Sequence, residues 1–178
     1  MLCTQHGLPM INDGGAIVVI IGAPGSGKTR AGKRLAKILD APLIDTDKVV
    51  VASHGPIPEL FAEFGEEYFR EREREAVAEA LLQPAVVTLG GGAVLNRETR
   101  ADLASHRVVQ LTMSKAAAQL RITGSRRPLA KNADEWETLV AARRPIYDAL
   151  SSLTIDTSLM PMEKVAREIA DWLGTQQQ

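Results

Sequence analysis

Short apolar segments alternate along the chain with longer segments in which apolar residues recur at helical spacing. The apolar runs predict five strands, at 16–21, 42–44, 85–89, 107–111 and 153–155. The helical spacing predicts six helices, at 27–39, 65–82, 97–104, 115–121, 134–150 and 162–173. Nearly continuous apolar runs are typical of strands that helices cover on both faces. The pattern therefore predicts an α/β protein, a three-layer α/β/α sandwich around a five-stranded parallel sheet.

Size, composition and charge narrow the class of protein. The chain has 178 residues, 45% of them hydrophobic and 24% charged, with a formal net charge of −1. This size suits a single core, so we expect a flexible leader at 1–15 and one domain at 16–178. A net charge near zero gives no overall attraction to nucleic acid or acidic lipid, so neither is an expected partner. The single cysteine, Cys3, suits a reducing compartment, and we expect a cytoplasmic monomer.

A glycine-rich segment stands between the first predicted strand and the first predicted helix. It reads GAPGSGKT and matches the phosphate-binding motif G-x-x-x-x-G-K-[ST]. Its backbone N–H groups and the helix start attract phosphate oxygens, while the lysine reaches the β and γ phosphates and the threonine hydroxyl binds Mg²⁺. The expected nucleotide-binding residues are Gly22, Ala23, Pro24, Gly25, Ser26, Gly27, Lys28 and Thr29. A loop that binds nucleotide without transferring phosphate is the alternative interpretation.

Acidic and basic residues follow the second strand and line the second helix. In extended chain, Asp45 and Asp47 would point to the same side, one towards a metal and the other towards a hydroxyl. A helix N-cap is the alternative role for either aspartate. Helical spacing places Arg70 and Glu73 on the inward face of the second helix, although they could form only an i, i+3 ion pair.

Three further segments offer groups to a ligand. Gly90, Gly91 and Gly92 follow the third strand and allow close backbone approach. Residues 121–132 concentrate cations, glycine and proline, as a lid over phosphates would, and Arg127 is its candidate closing cation. Near Pro145, where we expect a break in the helix, Arg143 and Arg144 are candidates to bind a carboxylate or phosphate.

Taken in order, these segments resemble the shikimate kinase family, which has the P-loop NTPase fold with a lid. The matching stretches are GAPGSGKT, LIDTD, LFAEFGEEYFR, TLGGGAV, RRPL and RRPIY. The resemblance implies an ATP-dependent kinase that uses Mg²⁺ and transfers the γ-phosphate to the 3-hydroxyl of shikimate. A kinase of another small hydroxy acid such as gluconate, or a ligand-sensing domain without turnover, is the competing expectation.

The resemblance also implies a role for each site residue. Catalysis would fall to Lys28, Asp47 and Arg127, and the metal to Thr29 and Asp45. Arg127 would also contact the nucleotide. The residues implied for shikimate binding are Asp47, Phe61, Phe69, Arg70, Gly90, Gly91, Gly92 and Arg143. The spacing of R-x-P-x-Y favours Arg143 over its neighbour Arg144.

Overall fold

The structure is a computed structural model that describes residues 15–122 and 132–175. The strands are β1 (Val18–Gly22), β2 (Leu43–Asp45), β3 (Val86–Thr88), β4 (Val108–Thr112) and β5 (Leu153–Asp156). The helices are α1 (Lys28–Ile38), α2 (Thr46–His54), α3 (Ile57–Leu81), α4 (Arg97–Leu103), α5 (Lys115–Ile122), α6 (Ala133–Leu150) and α7 (Met162–Thr175). A 3₁₀ turn at Ala93–Leu95 precedes α4.

The strands form a five-stranded sheet in the order β2-β3-β1-β4-β5, and every neighbouring pair is parallel. Successive side chains of the central strand β1 enter opposite cores. Val18 and Ile20 pack with α1 and α7, whereas Val19 and Ile21 pack with α3, α4 and α6. All four are buried, which explains why the strand reads as a continuous apolar run. The predicted α/β fold is confirmed, with each strand within two residues of its predicted bounds.

Three helical features differ from the prediction. The Asp45–Asp47 segment is not extended, because Asp45 ends β2 and its carboxylate accepts a hydrogen bond (3.4 Å) from the Lys48 N–H as the N-cap of α2. Helix α3 begins at Ile57, eight residues earlier than predicted, and contains a kink at Gly65. Helix α6 continues through Pro145, so the expected break is wrong.

The sheet order brings the candidate segments together. The phosphate-binding loop follows β1, Asp45 and Asp47 follow β2, and the three glycines follow β3, which lies between the other two strands. Carboxyl ends of parallel strands form the edge where ligands bind in open α/β sheets. The predicted leader, apart from Gly15, and most of the predicted lid, Arg127 included, lie outside the described residues. In the part that is described, every helix is too short or too polar to cross a bilayer.

Candidate active site

The loop from Gly22 to Gly27 connects β1 to the start of α1. Gly27 has φ +96°, a conformation that favours glycine, and a Cβ on Gly22 would overlap the carbonyl group of Leu111 on β4. The Nζ of Lys28 donates hydrogen bonds to the carbonyl oxygens of Gly22 (2.9 Å) and Ala23 (3.0 Å). The lysine therefore lies over the loop whose N–H groups, together with the N-terminus of α1, form an anion site.

Two oxygen ligands lie together at the edge of this loop. The hydroxyl of Thr29 donates a hydrogen bond of 2.6 Å to Oδ2 of Asp45. Hydroxyl and carboxylate oxygens are the ligands that Mg²⁺ takes beside nucleotide phosphates, so these two residues fit a magnesium ion. Within the described ranges, His, Cys, Asp and Glu side chains form no group of three that could hold a metal ion.

Two carboxylates meet above Gly90. A Cβ added to Gly90 would lie 2.7 Å from Oε1 of Glu73 and would overlap Oδ1 of Asp47. Asp47 belongs to the first turn of α2 rather than to extended chain. It nevertheless faces this position, because β2 and β3 pair side by side. The absent side chain at Gly90 thus provides the space that both acidic groups occupy.

Arg70 joins the same cluster from α3. Its guanidinium donates to Oε2 of Glu73 at 2.6 Å and pairs with Glu66 at 3.1 Å. A Cβ on Gly92 would overlap Nη1 of Arg70. The guanidinium therefore lies directly against the loop that Gly90, Gly91 and Gly92 form, called the glycine loop below. The i, i+3 pair with Glu73 therefore exists, and it leaves Arg70 facing the site.

Burial and the attraction between opposite charges shift the pKa values of Glu73 and Arg70 in opposite directions. Burial raises the pKa of Glu73. The positive charges of Arg70 and Arg143 oppose that rise, and the negative charge of the nearby Asp47 adds to it. Burial alone would lower the pKa of Arg70, but the charges of Glu73 and Glu66 outweigh it and raise that pKa. The guanidinium stays charged, while Glu73 takes up a proton more readily than an exposed glutamate.

Helix α6 adds two donors from the opposite side of the glycine loop. Nη1 of Arg143 (3.0 Å) and the hydroxyl of Tyr147 (2.6 Å) both donate to the carbonyl oxygen of Gly91. Arg143 is half-buried at this point, whereas Arg144 is exposed. Of the two adjacent arginines, the structure therefore places Arg143 at the site.

Two aromatic side chains of α3 lie next to the charged cluster. The rings of Phe61 and Phe69 lie 4.9 Å apart between centroids. The Phe69 side chain is buried, and Cζ of the Arg70 guanidinium lies over its ring, 5.2 Å from the ring centroid. They form an apolar wall beside the charged cluster.

Three contacting residues were not assigned roles by the sequence analysis. Arg121 donates to the Gly25 carbonyl oxygen (3.1 Å), and Trp136 donates from its indole N–H to the Pro24 carbonyl oxygen (2.9 Å). Tyr147 is the third, through its contact with Gly91. These partners are far apart in sequence, so no local pattern signals the pairs, although Arg121 stands at the start of the predicted lid.

Comparison with known proteins identifies the family. The family model described as shikimate kinase matches residues 24–174. A shikimate kinase of Thermobifida fusca is 46% identical over 86% of this chain and 92% of its own length. The chain belongs to the shikimate kinase family. A shikimate kinase of Corynebacterium efficiens is 40% identical over 86% of this chain and 94% of its own length.

A solved structure of the same family agrees with the fold. The shikimate kinase from Acinetobacter baumannii, in complex with shikimate, superposes with a TM-score of 0.84 at 27% identity. The match covers 91% of this chain and 94% of that one. Membership of the shikimate kinase family makes the protein an ATP-dependent kinase, as the sequence predicted.

Proposed function

We propose that the protein transfers the γ-phosphate of ATP to the 3-hydroxyl of shikimate, giving shikimate 3-phosphate and ADP. The observation that carries the proposal is the contact between the phosphate loop and a second surface, the acceptor side. The acceptor side consists of Asp47, Phe61, Phe69, Arg70, Gly90, Gly91, Gly92 and Arg143. Gly91 of the acceptor side lies against Pro24 of the phosphate loop, since a Cβ on Gly91 would be 3.2 Å from Pro24 Cδ. A γ-phosphate held by one surface would thus face a hydroxyl held by the other.

The donor side binds ATP through the loop from Gly22 to Thr29. Lys28 carries its positive charge next to the loop that would hold the phosphates, and charge stabilisation with positioning is the main source of catalysis in phosphoryl transfer. Thr29 and Asp45 would hold Mg²⁺ with the phosphate oxygens, and a bound magnesium ion supplies further stabilisation of negative charge. We assign Arg127 of the predicted lid to the γ-phosphate on the family resemblance alone.

The acceptor side suits a small cyclic acid with hydroxyl groups. Arg70 and Arg143 approach the glycine loop from two helices and would bind the carboxylate of shikimate. Phe61 and Phe69 would pack against the ring. Asp47 would bind the reacting diol and accept the proton of the 3-hydroxyl as it attacks the phosphate.

The composition of the chain bears on its location and partners. ATP consumption, a single cysteine and a net charge of −1 support a cytoplasmic enzyme without nucleic-acid or membrane partners. We propose that it acts as a monomer.

A coupled assay of ADP release tests the proposal. We expect turnover with ATP, Mg²⁺ and shikimate, little turnover with gluconate or nucleoside monophosphates, and a shikimate 3-phosphate signal by phosphorus NMR. Asp47→Asn should lower kcat by about 10²- to 10⁴-fold, whereas Asp171→Asn, an exposed change on α7, should not. Preference for gluconate would identify another kinase, and binding of both ligands without ADP release would indicate a ligand-sensing domain.

A further inference from the structure

Side chains of helix α6 donate hydrogen bonds to a carbonyl oxygen of the phosphate loop and to one of the glycine loop. Near its start, the indole of Trp136 donates to Pro24 at 2.9 Å, and near its end the hydroxyl of Tyr147 donates to Gly91 at 2.6 Å. The two residues are eleven positions apart, about three helical turns, and so lie on one face. Helix α6 therefore contacts both the phosphate loop, at Pro24, and the glycine loop, at Gly91.

Both contacts are buried. Trp136 is 3% exposed and Tyr147 is 1% exposed. A buried N–H or O–H group without an acceptor destabilises the folded protein, so both donors favour keeping their hydrogen bonds to the carbonyl oxygens. Burial raises the pKa of Tyr147, and its hydroxyl therefore keeps its proton at neutral pH.

Each hydrogen bond also fixes the N–H group of the following residue. In a planar trans peptide, the carbonyl and the next N–H point in opposite directions. When Trp136 holds the Pro24 carbonyl, the Gly25 N–H points away from the indole. When Tyr147 holds the Gly91 carbonyl, the Gly92 N–H points away from α6, and Gly92 is the residue against which Arg70 lies.

We propose that Trp136 and Tyr147 are positioning residues for the two substrates, Trp136 for the nucleotide through Gly25 and Tyr147 for the acceptor through Gly92. This inference rests on the proposed function, because it assigns the two loops to ATP and shikimate. Arg143 shares the Gly91 carbonyl with Tyr147, so removal of the phenol hydroxyl weakens the anchor of the loop without removing all of it. Trp136 is the only residue for which a hydrogen bond to the Pro24 carbonyl is found in the described part of the chain.

Separate Michaelis constants test the two roles. Trp136→Phe should raise KM for ATP by about 3- to 10-fold, the loss that corresponds to one neutral hydrogen bond, and should leave KM for shikimate within about twofold. Tyr147→Phe should raise KM for shikimate by about 3- to 10-fold and should leave KM for ATP within about twofold. Trp172→Phe on α7 and Ser151→Ala, which removes a hydroxyl bonded to Gln110 inside the sheet, are the matched controls and should leave both constants unchanged.

A merely structural role would give a different result. If each variant lowers the melting temperature while both Michaelis constants stay at the wild-type value, or if both constants rise together in both variants, the inference is wrong. Where Trp136→Phe does not fold, benzothienylalanine at position 136 in the Trp172→Phe chain keeps the ring shape and removes only the N–H. An unchanged KM for ATP in that protein would also overturn the assignment of Trp136.

Calorimetry separates this inference from the proposed function. The wild-type protein and Trp136→Phe are titrated with Mg²⁺ and a non-hydrolysable ATP analogue. We expect about 3- to 10-fold weaker binding to the variant, which holds even if the wild-type protein does not phosphorylate shikimate. Wild-type shikimate turnover together with equal nucleotide affinity in both proteins would overturn the inference and leave the proposed function intact.

Discussion

At the scale of single residues, the acceptor side depends on a position without a side chain. Gly90 leaves the space in which the carboxylates of Asp47 and Glu73 lie. The atoms that an added Cβ would meet are the ends of side chains, which can turn away. The fold therefore tolerates a larger residue better than the site does.

We expect Gly90→Ala to fold and to lose activity. Overpacking of this kind costs about 1–3 kcal/mol of the free energy of unfolding, whereas a shift of about 1 Å in Asp47 lowers kcat by roughly 10²-fold. Urea unfolding and steady-state kinetics measure the two effects. Gly174→Ala is the control, since its Cβ meets nothing within 4 Å. An unchanged kcat in Gly90→Ala would show that Asp47 does not act from its observed position.

Glu73 gives a pH dependence of stability with a definite sign. Burial raises its pKa in the folded state, so the folded protein holds this proton more tightly than the unfolded chain does. That stabilisation is complete below the unfolded pKa, near 4.3, and is lost as the pH rises through the folded pKa. Ionised Glu73 therefore lowers the free energy of unfolding at neutral pH relative to acid.

Glu73→Gln removes this titration, and its effect should grow with pH. We expect the free energy of unfolding of the variant, minus that of the wild-type protein, to rise between about pH 4.5 and pH 7.5, measured by urea unfolding at several pH values. A Glu73→Gln difference that falls with pH would contradict the raised pKa.

At the scale of elements, helix α3 is two helical segments joined at Gly65. This residue has φ +83° and ψ 173°, a conformation that is nearly restricted to glycine. The segment before the kink carries Phe61 and the segment after it carries Phe69 and Arg70, and the two rings meet across the kink. Gly65 therefore sets how the apolar wall approaches the charged cluster.

Gly65→Ala should weaken both stability and acceptor binding. Nothing lies within 4 Å of an added Cβ, so the cost comes from the backbone alone, about 1–3 kcal/mol of the free energy of unfolding. We expect KM for shikimate to rise and KM for ATP to stay constant. Gly174→Ala again serves as the control, and equal unfolding midpoints for the two variants would show that the kink does not need glycine.

The elements that the sequence predicted well are those with a local cause. Strands buried on both faces read as apolar runs, and β1 shows why, since helices cover both of its faces. Helix α2 was missed because its valines favour extended chain, and the capping carboxylate of Asp45 does not outweigh that pattern in the sequence. Pro145 misled the prediction of α6, since the surrounding helix continues despite the missing N–H.

The same distinction applies to the site. The phosphate loop is contiguous, so a motif predicts it, and helical spacing placed Arg70 and Glu73 together. The approach of Asp47 to Glu73 depends on the pairing of β2 with β3, and the bond from Trp136 to Pro24 joins residues 112 positions apart. Such contacts arise from the order of the strands and the placement of α6, which no short segment specifies.

At the scale of the whole molecule, the two faces of the sheet carry separate cores that share β1. Tyr147 packs on one face with Val77, Ala80 and Leu81 of α3, and α1 and α7 pack on the other. Trp172 packs against the core of α1 and α7, while Trp136 lies in a smaller cluster next to the phosphate loop. The two tryptophans therefore report on different parts of the fold.

We expect residues 16–178 to unfold as one domain, because β1 contributes alternate side chains to both cores and cannot leave one core intact. Trp172→Phe leaves Trp136 as the only tryptophan, and Trp136→Phe leaves Trp172. In each variant, the urea transition of the remaining fluorescence should coincide with the transition of far-UV circular dichroism, as two-state unfolding requires. The double variant supplies the baseline without tryptophan emission. If the Trp172 transition preceded or followed the loss of secondary structure, the two sides of the sheet would be separate cooperative units.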